Sequence, residues 1–142
     1  MALKFDRDKV NKIVSEILFS LRLLEDLRKL AKEDFISDAH KISSAKYSFI
    51  VAIGGIIDLC NHVIAKNSYR TPEDYADTFR VLAQVGMIDE DYANKLVQMT
   101  RFRNRLVHIY WEVDNDELYR IMHSHLQDIR DFLKKFGEIL RK

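Results

Sequence analysis

One cysteine, one proline and four glycines are spread over 142 residues. A single thiol, Cys60, forms no internal disulfide and builds no Cys-rich zinc site. So little turn chemistry argues against an all-β sandwich or barrel, whose many short strands need many turns. An excess of one charge is also missing: 23 Lys and Arg stand against 22 Asp and Glu, for a formal net charge of +1. That balance excludes a globally basic nucleic-acid binder and leaves room for a local basic patch. The opening residues MALKFDRDKV lack the apolar core of a signal sequence. No unbroken apolar run reaches the ~18 residues of a membrane span. A cytoplasmic chain without membrane attachment is expected. No internal repeat and no low-complexity stretch is visible.

What is there is ordinary globular composition, 47% hydrophobic and 32% charged. The length suits a single domain over residues 1–142. Val10, Ile13, Val14, Ile17, Leu18, Leu21, Leu24, Leu27 and Leu30 recur at i, i+3, i+4 spacing. This predicts a first helix starting near Asp6 or Asp8 and fading over Lys32 to Ser37. A second long helix is expected from Asp38 to Lys66, with a main stripe through Ile42, Ala45, Phe49, Ile53, Ile56, Ile57, Cys60 and Ile64. Its middle is apolar nearly all round, which asks for burial on two sides and makes a second subunit plausible. Gly54 and Gly55 each cost about 1 kcal/mol against Ala in a helix and let another backbone come close.

After a loop at Asn67 to Arg70, Thr71-Pro72-Glu73-Asp74 reads as an N-cap followed by an N1 proline and a capping box. A short third helix should turn Tyr75, Phe79, Leu82 and Ala83 inward and end at Gly86. Asp89-Glu90-Asp91 opens a fourth helix with its stripe at Tyr92, Leu96, Met99, Phe102 and Leu106, ending past His108. Asp114 to Glu117 caps a fifth, carrying Leu118, Ile121, Met122, Leu126, Ile129, Phe132, Leu133, Phe136 and Leu140. The expected fold is all-α, an up-and-down bundle of about five helices.

The anomaly lies in the fourth helix. From Tyr92 through Trp111 the chain holds Lys95, Arg101, Arg103 and Arg105 and no acid. On a wheel at roughly 100° per residue, Arg101, Arg105 and His108 fall opposite the apolar stripe. Arg101 and Arg105 are therefore candidate contacts for an anionic polymer. Arg103 falls inside the stripe, where a permanently charged guanidinium must find a partner or line a cleft. Asp58 is one candidate partner, and Glu112 and Asp114 are acids that could engage the cluster. Asn104 and His108, four apart, share a face. Arg103 and His108, five apart, meet only if the helix ends or bends near Val107 or a second subunit completes the site.

Histidine exchanges protons near neutral pH, and arginine holds a phosphate through paired hydrogen bonds. Together they suit RNA cleavage by attack of a ribose 2′-OH on the adjacent phosphate, a reaction that needs no metal. Other residues point to plainer roles. His123 and His125, two apart on a helix, cannot chelate one ion. Cys60 belongs to the core. Trp111 caps the bundle or stacks a base. Tyr69 and Arg70 read as surface loop.

The stretch Arg103-Asn104-Arg105-Leu106-Val107-His108-Ile109-Tyr110 resembles the Arg-x4-His-x-Tyr signature of HepT toxins, in the HEPN superfamily of all-α ribonucleases. The surrounding FRNRLVHIYWEVD and the upstream AIGGIIDLCNHVIA are similar to that family's run, with Asp58 where the family carries an acid. The helix order also fits, so the resemblance covers most of the chain. It implies a HEPN-like bundle and a metal-independent endoribonuclease with no cofactor. It implies a homodimer, with two motifs meeting in a cleft between subunits. Arg103 and His108 would be catalytic, with Asn104 and Asp58 supporting. Tyr110 would be the acceptor of AMP from a MntA-like nucleotidyltransferase antitoxin, the added charge repelling RNA. HEPN-like domains also serve as non-catalytic nucleotide- or partner-binding modules beside nucleotidyltransferases. In that alternative the Arg cluster is a docking surface and His108 is structural.

Overall fold

The computed structural model describes residues 2–141. Six α-helices follow in order: α1 (Arg7–Arg28), α2 (Lys32–Ile36), α3 (Ala39–Lys66), α4 (Tyr75–Gln84), α5 (Glu90–His108) and α6 (Asn115–Leu140), with a 3₁₀ turn at Tyr110–Glu112 between the last two. Among the described residues there is no strand. The up-and-down all-α bundle expected from periodicity is the architecture found.

Aspartates start most of the helices. Asp6, Asp38, Asp74, Asp89 and Asp114 each accept a backbone N–H from the first turn that follows. Each satisfies an otherwise orphaned donor and places negative charge at the positive end of the helix dipole. α4 corrects the sequence reading. Its N-cap is Asp74, which accepts the Asp77 N–H at 2.7 Å, so Thr71 and Pro72 lie in the preceding loop. Gly86 closes α4 at φ +82°, as expected, with Met87 N–H donating to Leu82 O at 3.0 Å. The short α2 is the sixth helix that periodicity did not separate from α1.

α3 is the hub. It packs against α1, α2, α4, α5 and α6. Phe49, Ala52, Ile56, Leu59 and Cys60 are all buried, so both flanks of its apolar middle are covered largely from within the chain. Phe49, Ile56 and Leu59 each contribute roughly 1.5–3 kcal/mol on full burial. By length and composition α3 also meets the test for a membrane span, yet 67% of that stretch is buried inside the bundle. α1 runs antiparallel to α3: Asn67 joins Lys4 through two hydrogen bonds of 2.9 Å, and His62 Nε2 accepts the Asp6 N–H at 2.9 Å. α6 runs antiparallel to α1, tied by Tyr119 Oη donating to Leu30 O at 2.7 Å and by the Arg130–Glu25 ion pair.

The glycine pair splits. A Cβ on Gly55 would stand 2.5 Å from Ile17 Cγ1 and 2.9 Å from Cδ1, so the close approach there is α1 of the same chain. A Cβ on Gly54 would meet nothing within 4 Å. Gly54 belongs to an open strip of α3 that also carries Tyr47, Val51 and Asp58. Leu18, placed in the α1 stripe by periodicity, is instead exposed beside Phe19.

Candidate active site

The basic segment occupies the last two turns of α5 and the turn after it. The helix stays regular through His108, where Ile109 leaves helical geometry while its N–H still bonds Arg105 O at 2.9 Å. Glu112 N–H then bonds Ile109 O at 2.9 Å and closes the 3₁₀ turn that presents Tyr110 and Trp111. Trp111 is 79% exposed, so it does not cap the bundle.

The arginines have three different fates. Arg101 is exposed and has no carboxylate within 4 Å among the described residues. Arg105, expected to face solvent, is half-buried instead. It binds Glu117 through two bonds of 2.6 and 3.0 Å and Glu112 at 3.2 Å, and so pins the end of α5 to the start of α6. That pairing raises its pKa from an already high value. Arg103 is half-buried and has no carboxylate partner among the described residues. One of its terminal nitrogens donates to Asn104 Oδ1 at 3.2 Å, and its guanidinium lies 5.2 Å from the centre of the Tyr75 ring. Its Nε is buried and makes no hydrogen bond. Tyr75, expected inward, is therefore an exposed ring alongside Arg103.

Asp58 does not pair with Arg103. It is exposed on the α3 strip near Lys9, Lys12 and Glu16. Desolvation pushes its carboxyl above the usual range, while Lys9 and Arg103 pull it back through space. His108 is exposed at the helix end. On a regular helix it points roughly 140° away from Arg103. Within one chain the two are neighbours along α5 without facing each other.

Tyr110 has an anchor that sequence reasoning missed. Lys46 of α3 is buried, donates to Tyr110 O at 3.2 Å and sets its ammonium 4.1 Å from the ring centre. Tyr110 Oη reaches Ser43 Oγ at 3.5 Å. The only signal in the sequence was a lysine between Ala45 and Phe49, on the inner face of an apolar helix. Elsewhere, Cys60 is buried, which pushes its thiol far up and leaves it inert. His125 contacts Asp128 at 3.1 Å. Among the described residues no three His, Cys, Asp or Glu side chains come together as metal ligands.

The chain has relatives. Residues 17–136 match the family model described as ribonuclease HepT-like. The mRNA nuclease HepT of Shewanella oneidensis is 31% identical over 77 residues, 54% of this chain and 58% of that protein. The chain thus spans less than two thirds of that relative's length. The tri-AMPylated Shewanella oneidensis HEPN toxin, solved in complex with MNT antitoxin, superposes with a TM-score of 0.82 at 22% identity, over 91% of this chain and 96% of that one. YutE of Bacillus subtilis, described as a cytosolic protein of unknown function, gives a TM-score of 0.81 at 23% identity, over 97% and 92%. The match of the family model over most of its length makes this chain a member of the ribonuclease HepT-like family.

Proposed function

We propose that this chain is the toxin of a toxin–antitoxin pair, a metal-independent endoribonuclease that acts in the cytoplasm. The observation that carries the reading is Arg103: a half-buried guanidinium with an unbonded Nε and no carboxylate partner, five residues before an exposed His108. Folding alone gives no reason to leave that group unmatched, because a buried unsatisfied donor costs roughly 1–3 kcal/mol. A phosphate supplies the missing acceptor.

In the reaction, Arg103 holds the scissile phosphate and stabilises the charge that develops on it. The substrate's 2′-OH attacks phosphorus, a P–O2′ bond forms and the P–O5′ bond breaks. The products are a 2′,3′-cyclic phosphate and a free 5′-OH. Two proton transfers are needed, one from O2′ and one to O5′, and each protomer carries one His108. A homodimer supplies both histidines and brings the Arg103 of one chain toward the His108 of the other. The open strip of Tyr47, Val51 and Gly54 and the exposed Val107 and Trp111 offer the apolar surface such a dimer would bury.

Asn104 supports the site by orienting Arg103. Asp58 supports it by its field at Arg103, without contact. Arg101 offers RNA a free charge, and Arg105, still paired with Glu117, meets RNA only through the Nε that now contacts Glu112 at 3.2 Å. A MntA-like nucleotidyltransferase antitoxin places AMP on the exposed Tyr110. The new phosphate then adds negative charge beside the cleft and turns RNA away.

The test is cleavage of RNA by partner-free protein in EDTA, wild type beside His108→Ala, with product ends identified. Cleavage that survives EDTA, ends in cyclic phosphate and is lost in the variant is the expected result. Equal cleavage by His108→Ala sinks the mechanism. No cleavage by protein whose mass shows an unmodified Tyr110 replaces it with the nucleotide- or partner-binding module.

A further inference from the structure

We infer that the cleft between α5 and α6 is a nucleotide subsite, separate from the Arg103–His108 pair, that seats one base and phosphate of an RNA strand. The inference rests on the reading of the chain as an RNA-cleaving protein and adds where the substrate is gripped beyond the reacting phosphate.

The two helices, bridged by Arg105–Glu117 and Lys95–Asp128, leave a cleft of about 610 Å³ over α3. That size falls within the range of sites that enclose small ligands. Its floor is apolar, with Phe49, Ile53, Met99, Phe102 and Ile129. Phe49 meets Phe102 edge-on, with ring centres 5.3 Å apart and planes at 88°, which braces the Phe102 ring. Met99 and Phe102 keep part of their surface open where they line the cleft. A flat aromatic ring with a polarizable thioether beside it suits stacking of a base, an interaction available to every base type.

The rim is cationic. Lys95, Arg101, Arg105, Arg120 and His125 surround the floor, with Asp128 as the one carboxylate among the lining residues. Asp128 is already committed to Lys95 at 3.2 Å and His125 at 3.1 Å. Arg105 is committed to Glu117 and Glu112. Arg101 and Arg120 are left, both exposed and neither with a carboxylate within 4 Å among the described residues. Two free guanidinium forks above an apolar floor match a phosphate joined to a planar base. An apolar helix of a partner protein fits less well, because seating it would strip water from both guanidinium groups without compensation.

Position links the cleft to the reaction. Arg101, Arg105 and His108 stand at i, i+4 and i+7, on one side of α5. Arg101 is roughly 10 Å from His108 along the helix axis. A strand whose scissile phosphate lies at His108 therefore reaches the cleft with a nearby nucleotide.

The test uses Arg120, on the cleft's α6 side and outside the catalytic group. Binding of a labelled 2′-O-methyl oligoribonucleotide, which cannot be cleaved, is followed by fluorescence anisotropy at several salt concentrations. Wild type, Arg120→Gln and Arg120→Glu are compared, with 5′-AMP as a second ligand. Arg120→Glu should weaken oligonucleotide binding by about tenfold, with Arg120→Gln between it and wild type. The salt slope should fall by about 0.7 for the lost phosphate contact. Matching losses for 5′-AMP assign the site to free nucleotides as well as RNA; loss for the oligonucleotide alone assigns it to the strand. Unchanged affinity and slope in Arg120→Glu overturn the inference. So does a change of oligomeric state in that variant, which would make the cleft a contact between copies. Because the probe is uncleavable, Arg120-dependent binding by a protein that cuts no RNA keeps the subsite and discards the nuclease.

Discussion

Replacing Gly55 by alanine should destabilise the bundle, while the same change at Gly54 should stabilise it. The two positions are adjacent in α3, so each gains the same propensity from alanine, about 1 kcal/mol in a helix interior. What differs is the neighbourhood. The added methyl at Gly55 lands 2.5 Å from Ile17 Cγ1 and 2.9 Å from Cδ1. Ile17 is fully buried, so it has no free direction in which to move. Overpacking of this kind costs roughly 1–3 kcal/mol and works against the propensity gain. Gly54 has nothing within 4 Å of the added methyl and keeps its gain whole. Gly55→Ala should therefore be less stable than Gly54→Ala by about 1–3 kcal/mol. For a chain of this length that is roughly 2–4 °C of melting temperature per kcal/mol. Thermal and urea unfolding at one fixed protein concentration read the difference, the concentration being held because association shifts apparent stability. A double cycle with Ile17→Ala checks the cause: removing Cγ1 and Cδ1 should erase much of the Gly55→Ala penalty. Equal stability of the two alanine variants would refute the packing argument.

Two further outcomes follow from the ion pairs. Arg70 holds Asp77 through bonds of 2.7 and 3.1 Å, and the Glu73 N–H adds a third at 2.9 Å, which together bring the Asp77 carboxyl down to about 2. A carboxyl depressed on folding stabilises above its unfolded value, near 4, and loses that contribution as pH falls toward 2. The gap in urea midpoint between wild type and Asp77→Asn should therefore close between pH 5 and pH 2; a gap that persists at pH 2 contradicts the assignment. Lys46→Met removes the charged donor that holds Tyr110 O. Hydrogen exchange of residues 109–113 should speed up by about tenfold, equivalent to about 1.4 kcal/mol, and unchanged exchange would show that the turn holds itself.

The parts of the fold that could be read in the sequence are those decided locally. Asp6, Asp38, Asp89 and Asp114 cap their helices because a short carboxylate reaches the N–H three residues on, whatever packs around it. Gly86 ends α4 for an equally local reason, its positive φ. The same logic failed at Thr71-Pro72 because a competing local partner won. Asp77, in the first turn of α4, takes the Glu73 N–H and the Arg70 guanidinium and so holds residues 70–74 as a loop before the helix begins at Tyr75. α2 went unseen because it is five residues long, lacks a side-chain cap and is anchored by the single buried Phe35. In the site, the order Arg103, Asn104, His108, Tyr110 and the end of α5 were legible. The Arg105–Glu117 clasp was not, since it depends on how the 3₁₀ turn folds α6 back on α5. Lys46 was not, since a lysine reads as solvent-facing until its ammonium is found against Tyr110.

The charges near the end of α5 are satisfied in different ways. Lys95, Arg70 and Arg130 each meet a carboxylate. Arg105 meets two, and with them it joins α5 to α6 and fixes where the following turn emerges. That structural work leaves Arg101, Arg103 and Arg120 unneutralised among the described residues, on or beside one helix. Arg103 is the costly one, because its Nε has lost water and gained no acceptor. Asn104 meets one nitrogen of the fork and leaves the others able to take a second acceptor. A glutamate in place of Asn104 would neutralise the guanidinium and compete with any phosphate for it. The neutral amide orients Arg103 without cancelling its charge. The clasp at Arg105 and the amide at Asn104 are thus opposite solutions on one helix, two residues and one residue from the same arginine. The first spends its cation on holding the fold, and the second leaves its cation without a carboxylate among the described residues.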